Sequence, residues 1–165
     1  LGADTTLTST GNGAVLFSST VNGPHNLSVG NGTGTTTFAG LVGGGTPLTS
    51  LSVTSGTGAT TINTSGITTS AAQSYAGTVS LSQSTTLTNT TVGFSSTVTG
   101  GGFNLTLTSS AAITLTLGNI TGFHVSDKLD GLLIFKKVIC FFCQFVAFCL
   151  LLPYVHQSYP GILKS

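Results

Sequence analysis

The side chains able to do acid, base or metal chemistry are few, and their spacing brings little of that chemistry together. Cys140-Phe-Phe-Cys143 has the C-x-x-C spacing of half a zinc site, whose completion would take two further ligands such as Cys149 and His156. The run around it is apolar and lacks the polar partners that orient metal ligands, so no metal is expected there. Asp4, His25 and His124 each stand alone in the chain. Serines are so numerous that a Ser-His-Asp trio could be drawn almost anywhere, and only geometry defines such a trio. A polysaccharide lyase or hydrolase built on β-strands needs acidic groups for metal or acid/base work, usually beside a basic partner. Residues 5–126 carry no formal charge. The expectation is a protein that is not an enzyme, has no cofactor, and uses its histidines as solvated turn residues.

The charge balance points the same way. Of 165 residues, four are Lys and three are Asp, with no Arg or Glu, and the net charge is +1. That gives no field able to gather phosphates, so nucleic acid is not an expected partner. Solubility must come from Thr, Ser, Asn and the backbone. The chain opens at Leu1 and contains no methionine, which leads us to expect a piece of something longer.

What must position these residues is a set of short strands. Leu105-Thr-Leu107 and Ile113-Thr-Leu-Thr-Leu117 alternate apolar and hydroxyl side chains, which sends one set inward and the other outward. Thr, Ser, Gly and Asn all cost helix propensity, and no stretch ahead of Gly122 has a 3.6 period. The β-branched and aliphatic content argues against disorder, since it lets the chain bury area. A break in character falls near Gly122 and Phe123: every cysteine and six of the ten phenylalanines lie after it. The expected division is therefore 1–122, repeats, and 123–165, a hydrophobic tail.

The repeats can be read directly. Phe17-Ser-Ser-Thr-Val21 recurs as Phe94-Ser-Ser-Thr-Val98, a shift of 77 in numbering, and Asn26-Leu-Ser-Val29 corresponds to Asn104-Leu-Thr-Leu107. Thr5-Thr-Leu-Thr8 recurs as Thr85-Thr-Leu-Thr88, a shift of 80. Within this unit Phe38-Ala-Gly-Leu-Val42 and Tyr75-Ala-Gly-Thr-Val79 repeat an aromatic, two small residues, a variable residue and valine. The interval from Phe38 to Tyr75 is nearly twice those from Phe17 to Phe38 and from Tyr75 to Phe94. If it holds one unmarked turn near Ile62, four turns fill the unit. Fixed periods near 20 made of short strands and glycine turns are the mark of a solenoid, each coil burying an apolar stripe against the next. The fold expected is all-β, a β-solenoid of about six coils followed by a hydrophobic, helical tail. Phe17, Phe38, Tyr75 and Phe94 are expected to stack in one register, with Val21, Val42, Val79 and Val98 as the companion stations. Thr and Ser columns would form hydroxyl ladders outside, and Asn would bond along the stack. Gly43-Gly-Gly45 and Gly100-Gly-Gly102 read as turns, because no G-x-G-x-x-G spacing occurs.

Leu1-Gly-Ala-Asp-Thr-Thr-Leu-Thr-Ser-Thr10, Phe17-Ser-Ser-Thr-Val-Asn-Gly23, Gly34-Thr-Thr-Thr-Phe-Ala-Gly40 and Ser70-Ala-Ala-Gln-Ser-Tyr75 together resemble the repeats of large bacterial filamentous-haemagglutinin-like and autotransporter adhesins. The likeness covers residues 1–122 and extends to the order of the motifs. It implies a right-handed parallel β-helix, secretion across the outer membrane, and adhesion or biofilm roles at the cell surface. The partner implied is a host, matrix or glycan surface, with neighbouring repeats of the same chain. The family brings no catalytic residues to carry over.

The tail matches nothing in that pattern. Val138 to Val155 is long enough as a helix to approach the thickness of a bilayer core. Lys136 and Lys137 flank it on the repeat side, which would leave the repeats in the cytoplasm, the wrong side for display. Three readings stay open: a membrane anchor, an out-of-frame artefact, or a packed helix closing the solenoid. Two other functions also stay open for the repeats, a polysaccharide-active β-helix enzyme and a solenoid that binds ice or crystal surfaces through Thr-x-Thr rows such as Thr106/Thr108 and Thr114/Thr116.

Overall fold

The computed structural model describes residues 1–54 and 56–109 and the backbone of 120–121. The expectations for 123–165, with Cys140, Cys143, Cys149, His124 and His156, and those for Thr114 and Thr116, lie outside these residues.

Within them the chain is all β, wound into a solenoid of about five turns. Its first coil carries β1 (Thr5–Thr8) and β2 (Val15–Phe17), and the second β3 (Asn26–Gly30) and β4 (Thr36–Phe38). From the third coil onward a full third strand is added: β5 (Ser50–Val53), β6 (Ala59–Ile62) and β7 (Gly66–Thr68). The fourth holds β8 (Gln73–Tyr75), β9 (Thr78–Leu81) and β10 (Thr85–Asn89), and the fifth β11 (Val92–Phe94), β12 (Val98–Thr99) and β13 (Leu105–Ser109). A short β14 (Ile120–Thr121) follows, where a sixth coil is expected. Every strand pairing is parallel and joins one coil to the next, giving three sheets. Their orders are β1-β3-β5-β8-β11, then β2-β4-β6-β9-β12-β14, then β7-β10-β13. Single bridges Val21–Val42 and Val42–Ile67 prolong the third sheet toward the earlier coils.

The composition explains the geometry. Short strands rich in Thr and Val suit a pleated, half-buried surface. Their alternate residues are buried, as in β3, β5 and β10. The inward residues form columns along the axis. On the first sheet, Leu7, Val29, Val53, Tyr75 and Phe94 lie over one another, although their intervals along the chain are unequal. On the second, Phe17, Phe38, Ile62 and Leu81 do the same. Val21, Val42, Ile67, Leu87 and Leu107 supply the third column. The core is thus a prism of largely apolar columns, to which each coil contributes one or two inward residues per sheet. No coil could hide its share alone.

One inner column breaks this rule. Val15, Thr36, Thr60, Val79 and Val98 are in register on the second sheet. Thr36 and Thr60 are fully buried, and their hydroxyls have no hydrogen-bond partner among the described residues. Valine already occupies the rungs to either side, so the shape of the column accepts it. An unsatisfied buried hydroxyl carries a desolvation cost of about 1–3 kcal/mol. Thr60→Val is therefore expected to stabilise the protein by about 1 kcal/mol, read as a higher denaturant midpoint with an unchanged slope.

Candidate functional site

The surface of the shaft is built from the residues that alternate with the core. On the second sheet Thr37, Thr61, Ser80 and Thr99 stand in one outward column, and the Thr61 and Ser80 hydroxyls are 3.4 Å apart. On the first sheet Thr6, Ser28, Ser52 and Ser74 are aligned in the same way. On the third, Thr86 and Thr88 stack on Thr106 and Thr108, and Thr68 continues one of the two rows. The other row ends there, because Gly66 lies opposite Thr86. Parallel strands set these hydroxyls about 4.8 Å apart along the axis.

Corner side chains tie successive coils together. Asn12 Oδ1 accepts a hydrogen bond from the Thr33 amide at 3.1 Å, and Asn22 Oδ1 accepts from the Gly45 amide at 3.0 Å. Ser84 Oγ accepts from the Asn104 amide at 3.1 Å. Asn12 is itself in the left-handed region, with φ of 56°, a conformation Asn tolerates better than most residues. In each pair a side chain of one coil caps an amide of the next.

Asp4 and His25 meet at the first of these joints. The Asp4 carboxylate accepts from the Asn26 amide and from Asn26 Nδ2, each at 2.9 Å, and His25 Nδ1 lies 3.7 Å from it. Asn26 Oδ1 in turn accepts from Ser50 Oγ at 2.6 Å. The serine hydroxyl therefore points along the ladder to an amide and the imidazole toward a carboxylate, so the base and the hydroxyl are not joined. Donation by the Asn26 amide, and then by its side chain, holds the Asp4 carboxyl below its usual range. A depressed carboxyl pKa contributes stability that is present above the ordinary value of 3.8 and lost as pH falls through the lower folded value. We expect the thermal midpoint to be insensitive to Asp4 from neutral pH down to about pH 4 and to fall below it. Asp4→Asn should remove part of that acid loss, as a comparison of the two pH profiles would show.

A second polar cluster is buried. Gln73, Leu51 and Val92 share an inner column. Gln73 Nε2 donates to the carbonyls of Ile67 and Thr88, both at 3.1 Å, and the Tyr75 hydroxyl donates to Gln73 Oε1 at 3.1 Å. Thr69 and Thr85 are also buried and donate to the carbonyls of Ala71 and Thr64, each at 2.7 Å. These groups satisfy backbone at the corners where one sheet gives way to the next. Nothing in the sequence marks Gln73, where it sits as one amide among many hydroxyls. Burial also pushes the Tyr75 phenol above its usual range.

The aromatic and valine stations occupy definite places, but not the single column expected of them. Phe17 and Phe38 stack on the second sheet with ring centroids 4.9 Å apart and planes 5° apart. Tyr75 and Phe94 stack on the first, at 5.2 Å and 13°. Val21 and Val42 belong to the third sheet's column, whereas Val79 and Val98 belong to the second sheet. The cause is the long interval between Phe38 and Tyr75. Ile62, at the expected unmarked turn, does lie next to Phe38. The chain then reaches Tyr75 before it arrives at Leu81, the residue stacked on Ile62, so the motif resumes on a different face.

Among the described residues no group of three His, Cys, Asp or Glu side chains is placed to hold a metal ion, and no helix is long and apolar enough to cross a membrane. Comparison with known proteins found no matching family model, no matching curated protein and no matching solved structure.

Proposed function

We propose that this chain is a structural stalk and adhesion segment of a bacterial cell-surface or secreted adhesin, and that it performs no catalysis. The observation that carries the reading is the outer surface: uncharged columns of hydroxyl side chains that run over successive coils, interrupted at Leu16 and Gly93, on a shaft whose length grows with repeat number. Such a shaft holds a surface of uniform character away from its anchor. Weak hydrogen-bonding contacts repeated along it gain by multivalency rather than by any one strong site. The resemblance of residues 1–122 to adhesin repeats supports the same reading. The partners proposed are a host, matrix or glycan surface and neighbouring repeats, and the place is outside the cell.

The test is retention of beads coated with the chain on panels of matrix proteins and neutral polysaccharides, beside turnover assays on the same polysaccharides. Retention that is unchanged by His25→Ala, with no turnover, is expected. Turnover abolished by His25→Ala or Asp4→Asn would replace the adhesion reading with an enzymatic one.

A further inference from the structure

The two copies of the long repeat do not occupy equivalent faces. Thr5-Thr-Leu-Thr8 forms β1 on the first sheet, and its counterpart Thr85-Thr-Leu-Thr88 falls in β10 on the third. Phe17 is on the second sheet and its counterpart Phe94 on the first. Val21 lies in the third sheet's column and Val98 on the second sheet. Asn26-Leu-Ser-Val29 lies in β3 on the first sheet, and Asn104-Leu-Thr-Leu107 begins just before β13 and runs into it on the third. All four correspondences shift by one face in the same direction.

We infer that the long repeat is a module of three and two-thirds coils, so that each copy presents its outward side chains one face further round the shaft than the copy before. From Phe17 in the first coil to Phe94 in the fifth, the chain makes four turns less one face. Three such modules in tandem would make a whole number of coils and bring the motif back to its first face. The shift is tolerated inside because each sheet contributes an inward column of similar apolar bulk. An aromatic can therefore stack on the second sheet in one copy and on the first in the next.

The outward consequence concerns display, and it rests on the adhesion reading above. Thr6 and Thr8 face out from the first sheet, and their counterparts Thr86 and Thr88 face out from the third. A partner that reads this Thr-x-Thr pair meets it on more than one side, so engagement does not depend on how the shaft is turned. Hydrogen-bonding surfaces without charge suit such undirected contact, because no ionic patch fixes an orientation.

Engineered disulfides in the full chain, with Cys140, Cys143 and Cys149 replaced by Ser, test the turn without reference to binding. A disulfide needs Cα atoms about 4.4–6.8 Å apart, which adjacent rungs of one column provide. In the turned shaft Ser52 lies beside Ser74 and Thr61 beside Ser80. A shaft in which the motif kept to one face, with Ile62 as the station between Phe38 and Tyr75, would instead set Ser74 beside Thr61. Ser52→Cys/Ser74→Cys and Thr61→Cys/Ser80→Cys are expected to close in most molecules on mild oxidation, and Thr61→Cys/Ser74→Cys to stay reduced. Closure of the Thr61/Ser74 pair with the Ser52/Ser74 pair left open would overturn the inference. All four positions point outward from their strands, and circular dichroism checks that each variant keeps its β-structure. Failure of bead retention, by contrast, would remove the adhesion reading and leave the turn standing.

Discussion

Tyr75→Ala should lower the stability of the protein by about 4–8 kcal/mol, a large loss for a single substitution. Two separate costs combine. Tyr75 is fully buried between Val53 and Phe94, with its ring stacked on Phe94. Truncating a buried aromatic to alanine costs about 3–5 kcal/mol, because neighbours close only part of the cavity. The hydroxyl adds a second cost, since it donates to Gln73 Oε1, whose own amide holds the carbonyls of Ile67 and Thr88. Losing that donor leaves a buried acceptor unmatched, at about 1–3 kcal/mol. Tyr75→Phe isolates the second cost, keeping the stacked ring while leaving Gln73 Oε1 without its donor. Urea titrations should place wild type above Tyr75→Phe and Tyr75→Phe above Tyr75→Ala. A Tyr75→Phe variant as stable as wild type would show that the Tyr75–Gln73 hydrogen bond contributes nothing.

Gly43→Ala should cost about 2–4 kcal/mol, whereas Gly44→Ala, one position on, should fall within about 0.5 kcal/mol of wild type. Gly43 has φ of +69°, a conformation that costs a side-chain-bearing residue about 1–2 kcal/mol. A Cβ there would also come within 2.1 Å of the Thr68 carbonyl oxygen in the next coil. That oxygen belongs to backbone, so relief requires the coils to part. The Gly43 amide donates to the Val21 carbonyl at 2.7 Å on the opposite side, so the corner is held from both directions. At Gly44 a Cβ would meet only the Leu41 side chain at 3.4 Å, an ordinary contact. Measured thermal midpoints of the two variants would separate the effect of this corner from that of losing any glycine.

These two sites also show how far the sequence could be read. The fold class was legible because alternation in stretches such as Leu105-Thr-Leu107 is a local signal, and the solenoid because Phe-Ser-Ser-Thr-Val recurs unchanged. Gly43-Gly-Gly45 was legible as a turn. Nothing in the triplet marks Gly43 as the tight member, since that depends on where Thr68 falls in the neighbouring coil. The face of each motif was not legible either. Val42, Ile67 and Leu87 in one column differ little in kind from Phe38, Ile62 and Leu81 in another. The coil interval also varies along the first sheet, longest from Val29 to Val53 and shortest from Tyr75 to Phe94, so similar spacing does not mean the same sheet. The Asp4 joint was similarly hidden. Asp4 and His25 are far apart in the chain, and only the stacking of β1 on β3 brings them together.

Interstrand nuclear Overhauser contacts in the isotope-labelled chain bear most directly on whether each coil is paired in parallel with the next. Stacked coils should give backbone contacts of the parallel pattern between Leu51 and Gln73 and between Phe38 and Ile62. Ring-to-ring contacts are expected within the pairs Phe17–Phe38 and Tyr75–Phe94. Antiparallel contacts between strands adjacent in sequence, such as β5 with β6, would contradict the stacked solenoid.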